Sequence, residues 1–154
     1  MRSTKRNFFI NILRKVRINF LKIYHARGSA HEIALGAAIG AFWGVFPTFG
    51  LSTVLSLLMY KFLRFNLLAA ISGAFISNPL TSPFLLLISY KVGSYFIKSN
   101  IQLDYSNWYK NIPEVGYILL IGATVVSFIA GMIVYYAIKY LVQKRTNPSQ
   151  KSFQ

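Results

Sequence analysis

Three long stretches of the chain contain no charged residue, and they cover residues 33–60, 65–90 and 115–138. Each is longer than the roughly 20 residues that an α-helix needs to cross the hydrocarbon core of a bilayer. Core helices of soluble proteins are shorter and carry polar residues on an outer face. A buried soluble bundle would lack the polar residues to cover itself. The pattern therefore predicts an all-α, polytopic helical integral membrane protein.

A helix-breaking motif, Pro47-Thr48-Phe49-Gly50, interrupts the first uncharged stretch. Proline removes an amide donor, and glycine permits backbone angles that other residues rarely adopt. Thr48 is suited to cap a new helix that starts near Leu51. We therefore expect the first stretch to be broken near its middle.

The second stretch is interrupted in the same way by the sequence SNPLTSP at residues 77–83. Asn78 is suited to the N-cap and Pro79 to the first position of the helix that follows. Irregular backbone at membrane depth has to be buried in protein or line a wet cavity. Proline-interrupted segments in corresponding places are typical of membrane binding sites, so the two breaks predict one.

The path of the two broken segments determines where the cations between them lie. If each segment crosses the membrane fully, Lys61 and Arg64 face the outside. If each is a re-entrant hairpin, residues 61–64 and 91–98 stay on the cytoplasmic side. Short loops rich in Lys and Arg stay cytoplasmic, which favours two hairpins.

The third stretch predicts one plain transmembrane helix over residues 115–138, with Gly122, Ser127 and Gly131 as small packing positions. The cations that follow it would lie outside if both broken segments are hairpins, so the side of the C-terminus stays open. The segment before it carries Trp108 and Tyr109, and aromatic residues of this kind suit the membrane interface.

Charge is strongly unbalanced and concentrated outside the three stretches. The chain has 17 Lys and Arg residues against 3 Asp and Glu, and no cysteine. Eight of the cations precede residue 32, which predicts a cytoplasmic N-terminus. Without cysteine or a pair of carboxylates close in sequence, we expect no catalytic residues, metal or cofactor, and therefore no enzyme.

The basic N-terminal region predicts an amphipathic helix that lies in the cytoplasmic headgroup layer, with anionic lipid headgroups as partners. Its apolar face collects Phe9, Ile12, Leu13, Val16, Phe20, Ile23 and Tyr24, and its polar face Asn7, Asn11, Arg14, Lys15 and Lys22. A pure topology signal is the alternative; nucleic-acid binding is disfavoured, because the rest of the chain supplies no soluble face. The domains expected are this helix (1–28), a helical membrane domain (29–142) and a basic tail (143–154).

The start of the membrane domain has its own signature. Ser29 and Glu32 have the spacing of a capping box, which predicts that the first membrane helix begins here. Gly36, Gly40 and Gly44 then place a stripe of small residues on one helix face. Small stripes let helices approach closely in lipid, and packing within the chain is favoured over a dimer seam.

Several motifs occur in a fixed order: Phe-x-Gly-x-x-Pro-x-x-Gly at residues 42–50, Arg-x-Asn at 64–66, Ser-Asn-Pro-Leu-Thr at 77–81 with Pro83, and Tyr-x-x-Gly at 90–93. On these motifs the chain resembles a bacterial membrane family called domain of unknown function 2062. The resemblance implies a multi-pass protein of the bacterial inner membrane. Some relatives look fused to glycosyltransferase domains, which implies envelope work and glycosyltransferase-related partners.

The two breaks predict paired helix N-termini, whose amides and dipoles bind phosphate or carboxylate. The first hypothesis is therefore a small transporter or lipid-handling protein that binds an anionic, phosphate-bearing group. Its candidate residues are Pro47, Thr48, Gly50, Ser52, Arg64, Asn66, Ser77, Asn78, Pro79, Thr81 and Ser82. The alternative is a non-catalytic anchor or assembly subunit for a membrane-protein partner, in which the Gly, Pro and Asn motifs serve only helix packing.

Overall fold

The computed structural model of the chain describes residues 11, 14–15, 17–19, 21–23, 26–48, 50–97 and 112–146. These residues form helices and turns without a β-strand, which confirms the all-α class. The described residues before Ala26 are helical and belong to an N-terminal segment. Five helices follow: α1 (Ala30–Val45), α2 (Ser52–Tyr60), α3 (Leu67–Ala74), α4 (Ser82–Phe96) and α5 (Ile112–Thr146). The predicted interfacial segment with Trp108 and Tyr109 lies outside the described residues.

Helix α1 begins with the predicted capping box. The Ser29 amide donates to the Glu32 carboxylate at 2.9 Å, and the Glu32 amide donates to the Ser29 hydroxyl at 3.2 Å. These bonds from Ser29, aided by the charges of His31 and Arg64, hold the pKa of Glu32 below its usual value. The capping box is confirmed, and Glu32 has a structural task at the start of α1.

The glycine stripe of α1 packs against α3. Gly36, Gly40 and Gly44 face, in order, the backbones of Asn66, Ala70 and Ala74. A Cβ atom on Gly40 would overlap the carbonyl oxygen of Ala70, so only glycine allows this approach. Because the partners advance along both helices in the same order, α1 and α3 are parallel, and the stripe packs within the chain.

Helix α5 runs antiparallel to both α1 and α4. The His31 ring lies 2.8 Å from the Tyr135 hydroxyl, and Phe42 meets Phe128 at 5.4 Å between ring centroids. Glycines also allow the backbones of α4 and α5 to approach closely at two positions. The facing residues there are Gly93 with Ile118 and Gly122 with Ser89.

These contacts show that the two broken segments follow different paths. In the first segment α2 turns back, and the Asn66 amide just beyond it donates to the Glu32 carbonyl at the start of α1, at 2.9 Å. In the second segment α3 and α4 both run opposite to α5, so the chain continues past its break. The first segment therefore forms a helical hairpin within the fold, whereas the second does not turn back, so the prediction of a hairpin there is wrong.

The N-terminal segment joins the core at its end. Ile23 is buried in a cluster whose other members are Ala26, Ile33, Ala34, Ala37, Ala69, Ile138 and Val142. Arg14, Lys15 and Lys22 are exposed, as the amphipathic pattern predicts. Ile23, which that pattern places on a lipid-facing side, is instead buried in this cluster with residues of α1, α3 and α5. The remaining residues of the predicted apolar face lie outside the described part of the chain.

Helix α5 has 35 residues, and its most apolar window reaches a mean hydropathy of 2.4. Among the described residues it is the one helix long and apolar enough to cross a membrane, and only 28% of that window is buried. It contains the predicted span and continues to Thr146, into the region expected to be a tail. Helix α1 is apolar but shorter, with 16 residues.

Candidate functional site

The two helix breaks meet at one cleft of about 360 Å³, although they belong to different segments of the chain. The first break contributes Pro47, Thr48, Gly50 and Ser52, and the second contributes Ser77, Asn78, Pro79 and Ser82. Gly44, Val45, Phe46, Ala74, Leu85 and Leu86 complete the lining. Phe42, just before the cleft on α1, packs against Phe128 near the middle of α5, so the cleft lies about midway along that helix.

The first break is built differently from the expected Thr48 cap. Helix α2 begins at Ser52, its N-cap is Leu51, and no side chain caps it. The Thr48 hydroxyl instead donates back to the Trp43 carbonyl at 3.3 Å, near the end of α1, where the last carbonyls lose their regular amide donors. Gly50 has a φ of 91°, a left-handed conformation that glycine adopts without strain. Thr48 therefore closes the preceding helix, and the predicted cap is wrong.

In the second break Asn78 shapes a turn before the helix. Its Oδ1 atom accepts from the amides of Leu80 at 3.0 Å and Thr81 at 3.2 Å. Helix α4 then begins at Ser82 with Thr81 as N-cap, and its first turn contains Pro83. The prediction that Asn78 is the N-cap and Pro79 the first helical residue is wrong by one turn, because the Asn78 turn precedes the helix.

The cleft offers neutral hydrogen-bond donors. The Nδ2 group of Asn78 and the hydroxyl of Ser52 have no hydrogen-bond partner among the described residues. The hydroxyls of Ser77 and Ser82 bond to each other at 3.0 Å. No residue in the cleft lining is charged. The cleft can therefore bind an acceptor group, but it holds no side chain for acid or base chemistry near neutral pH.

Three predicted site residues are not part of the cleft lining. Thr81 donates from its hydroxyl to the Ile76 carbonyl at 2.8 Å and is not part of the lining. Arg64 and Asn66 line a separate cavity of about 650 Å³ near the start of α1. Asn66 is the N-cap of α3: its Oδ1 accepts from the Ala69 amide at 2.8 Å, and its Nδ2 donates to the Arg27 carbonyl at 2.7 Å.

Some residues that line the cleft were not predicted from the sequence. Leu85 and Leu86 border the cleft, but nothing in the pattern separates them from the other apolar residues of α4. The contact between His31 and Tyr135 was also missed, because it joins positions 104 residues apart. Such pairs depend on how α1 and α5 pack, which no local motif encodes.

In its described residues the chain is an all-helical protein with one membrane-length helix and two helix breaks that share a neutral polar cleft. The family follows from comparison: residues 13–151 match the model of a family described as an uncharacterized protein conserved in bacteria, domain of unknown function 2062. The chain belongs to this family. Comparison with curated proteins and with solved structures gives no match.

Proposed function

We propose that the chain is a multi-pass protein of the bacterial inner membrane with a cytoplasmic N-terminus. Large apolar side chains are exposed around the bundle, among them Phe84 on α4 and Ile133 on α5, 65% and 64% exposed. Surfaces of this extent are typical of membrane contact. One hairpin followed by two crossings would also place Arg27, Lys61 and Arg145 on one side of the membrane, in agreement with the Lys/Arg rule.

Cysteine labelling in intact cells tests this topology, since the chain has no native cysteine. Lys61→Cys and Lys144→Cys should be protected from a membrane-impermeant thiol reagent and become reactive after the membrane is opened. Glu114→Cys, at the other end of α5, should react in intact cells. Labelling of Lys61→Cys in intact cells would contradict the cytoplasmic hairpin.

We infer that the cleft binds the polar headgroup of a membrane lipid, which makes the protein a small lipid-handling or transport protein. The observation that carries this inference is that two breaks from separate segments line one cleft, about midway along α5. Ser52 and Ser82, at the starts of α2 and α4, both line it, and no side chain caps either helix. Such helix starts and free neutral donors suit the oxygen atoms of a phosphodiester.

The test separates ligand binding from folding through two substitutions of Asn78. Asn78→Asp keeps an oxygen that accepts from Leu80 and Thr81 but loses the free Nδ2 donor and adds a charge that repels phosphate. Asn78→Ser keeps a weaker acceptor for the turn without adding charge. The purified proteins are reconstituted in liposomes, and the transbilayer movement of a labelled phosphatidylglycerol is measured. We expect Asn78→Asp to remain folded and to lose the movement that the wild-type protein supports, and Asn78→Ser to retain part of it.

A second candidate function rests on the local bonds of the same residues. Thr48, Asn78 and Thr81 each satisfy backbone groups next to their own break, as helix-packing devices do. On this account the protein is an anchor or assembly subunit. Lipid movement equal to that of protein-free vesicles, with Asn78→Asp indistinguishable from the wild type, would favour the anchor over the lipid-handling protein.

A further inference from the structure

A second region, the cavity near the start of α1, has more positive than negative side chains in its lining. Arg27, Lys61 and Arg64 line it together with a single carboxylate, Glu32. None of the three cations forms a salt bridge within the described part of the chain. The Glu32 carboxylate is bonded to the Ser29 amide in the capping box. Since three positive charges face one negative charge in one cavity, it attracts anions.

The backbone at this cavity adds donors of the same kind. Leu67 and Leu68, the first two residues of α3, form part of the wall, and their amides have no partner among the described residues. Asn66 caps only the third amide, that of Ala69. Guanidinium groups, an ammonium group and the start of a helix converge here, a donor set that suits phosphate oxygens.

An apolar groove of about 520 Å³ lies next to this cavity, because neighbouring residues line the two. Met59 lines the groove and the next residue, Tyr60, lines the cavity; along α1, Leu35 of the groove lies one turn beyond Glu32 of the cavity. The groove runs between α1, α2 and α5, and its other lining residues are Ala38, Ile39, Phe42, Trp43, Phe128, Gly131, Met132, Tyr135 and Tyr136. The charged cavity and the apolar groove therefore lie side by side, as the phosphate and the acyl chains do in a phospholipid.

We propose that the cavity and the groove form a second binding site, for an anionic phospholipid of the leaflet that contacts this end of the protein. Its phosphate lies between Arg27, Lys61 and Arg64, and one acyl chain lies along the groove beside Trp43. The site is distinct from the neutral cleft at the helix breaks, so either can exist without the other. The exposed Phe62, 83% accessible on the loop between Lys61 and Arg64, enters the adjacent hydrocarbon.

Trp43 gives this site a direct reporter, because it lines the groove. The chain has two tryptophans, and Trp108→Phe leaves Trp43 as the only one. The full-length protein is reconstituted in phosphatidylcholine vesicles that contain increasing fractions of a lipid with brominated acyl chains, which quench tryptophan fluorescence on contact. Brominated phosphatidylglycerol should quench Trp43 at a lower fraction than brominated phosphatidylcholine does.

Two variants and a matched control test whether the cations of the cavity cause the preference for phosphatidylglycerol. Lys61→Gln and Arg64→Gln remove cations from the cavity, and each should lower the preference for phosphatidylglycerol about fivefold. Lys91→Gln removes an exposed cation from α4, which leads away from the cavity, and should leave the preference unchanged. Helical content by circular dichroism shows that each variant is folded.

Three outcomes would overturn the proposal: equal quenching by the two lipids, a preference that survives Lys61→Gln and Arg64→Gln, or an equal loss in Lys91→Gln. Raised salt tests the proposal in the wild-type protein without any substitution. Because salt screens the cations of the cavity, it should reduce the preference for phosphatidylglycerol. Inorganic phosphate distinguishes the two sources of a phosphate group. If phosphate displaces phosphatidylglycerol only at a far higher concentration than that of the lipid, the site binds an amphiphile. If phosphate is as potent as the lipid, the groove has no role in binding.

Discussion

The cleft at the helix breaks and the cavity at the start of α1 are both built where helices begin, yet they differ in charge. In the cleft, polar side chains are neutral: Thr48 and Asn78 bond to backbone near their own break, and Ser77 and Ser82 bond to each other. In the cavity, Arg27, Lys61 and Arg64 carry charge without a salt bridge among the described residues. A charge midway along a membrane helix is costly, whereas water at a helix end hydrates it. The difference follows the depth that each region would have in a bilayer.

Both regions nevertheless depend on the same contact between α1 and α3. The glycine stripe holds α3 parallel to α1, with Asn66 at the cavity and Ala74 at the cleft. Helix packing therefore sets the distance between the two regions, while the local residues set their chemistry. Variants can break the shared contact or change one region alone.

The largest effect is expected for Gly40→Leu, because a side chain at this position collides with the Ala70 backbone. Overpacking of a core typically costs about 1–3 kcal/mol, and backbone has little freedom to move away, so we expect the loss of most folded protein. Both regions should be lost together. Gly116→Leu is the matched control, since nothing lies within 4 Å of its Cβ position. Folded yield in detergent is the measurement, and normal yield of Gly40→Leu would refute the packing of α1 on α3.

Ionic strength should separate the two regions in the wild-type protein. Between about 50 mM and about 500 mM salt, the preference of Trp43 quenching for phosphatidylglycerol should fall severalfold, because exposed cations are screened. Lipid movement through the cleft should change little, since no charged residue lines it. An equal fall in both would mean that the cavity also supplies the charge on which the cleft depends.

The sequence predicts local features well where a few neighbouring residues determine the structure. The capping box of Ser29 and Glu32 and the break at Pro47 follow from short-range hydrogen bonds and proline geometry. The start of α2 near Leu51 is also confirmed, but its cap and the start of α4 are not, because Thr48 and Asn78 bond within the turns and do not cap the helices that follow.

The sequence did not predict that the candidate site residues are divided between the cleft and the cavity, because this division depends on the direction of each helix. Arg64 and Asn66 lie between the two breaks in sequence, and they were assigned to the same site as the breaks although the hairpin model places residues 61–64 at the end where α1 begins. Packing of Gly93 against Ile118 sends α4 away from the cavity, a contact between positions 25 apart in the chain. That pairing has no local signature.

A moderate effect is expected at Asn66, which was predicted to bind ligand. Asn66→Ala removes the cap of α3 and the bond to the Arg27 carbonyl, and loss of a cap typically costs about 1 kcal/mol. Asn66→Asp keeps the cap and loses only the second bond, so it should be less destabilised. Thermal unfolding in detergent measures both. Equal stability of all three proteins, with weaker phosphatidylglycerol quenching, would make Asn66 a ligand residue after all.

The smallest effect is expected from the titration of Glu32, at the edge of the cavity. Hydrogen bonds from Ser29 lower its pKa in the folded protein from the reference value of 4.5, so the folded state favours the charged form. The resulting stability is fully present above the reference value and is lost as the pH falls through the lowered pKa. Glu32→Gln keeps a capping-box side chain without the charge. Thermal unfolding should therefore show a small advantage of the wild-type protein at neutral pH that shrinks as the pH falls below 4.5, and a difference that does not change with pH would mean that the charge of Glu32 does not stabilise the start of α1.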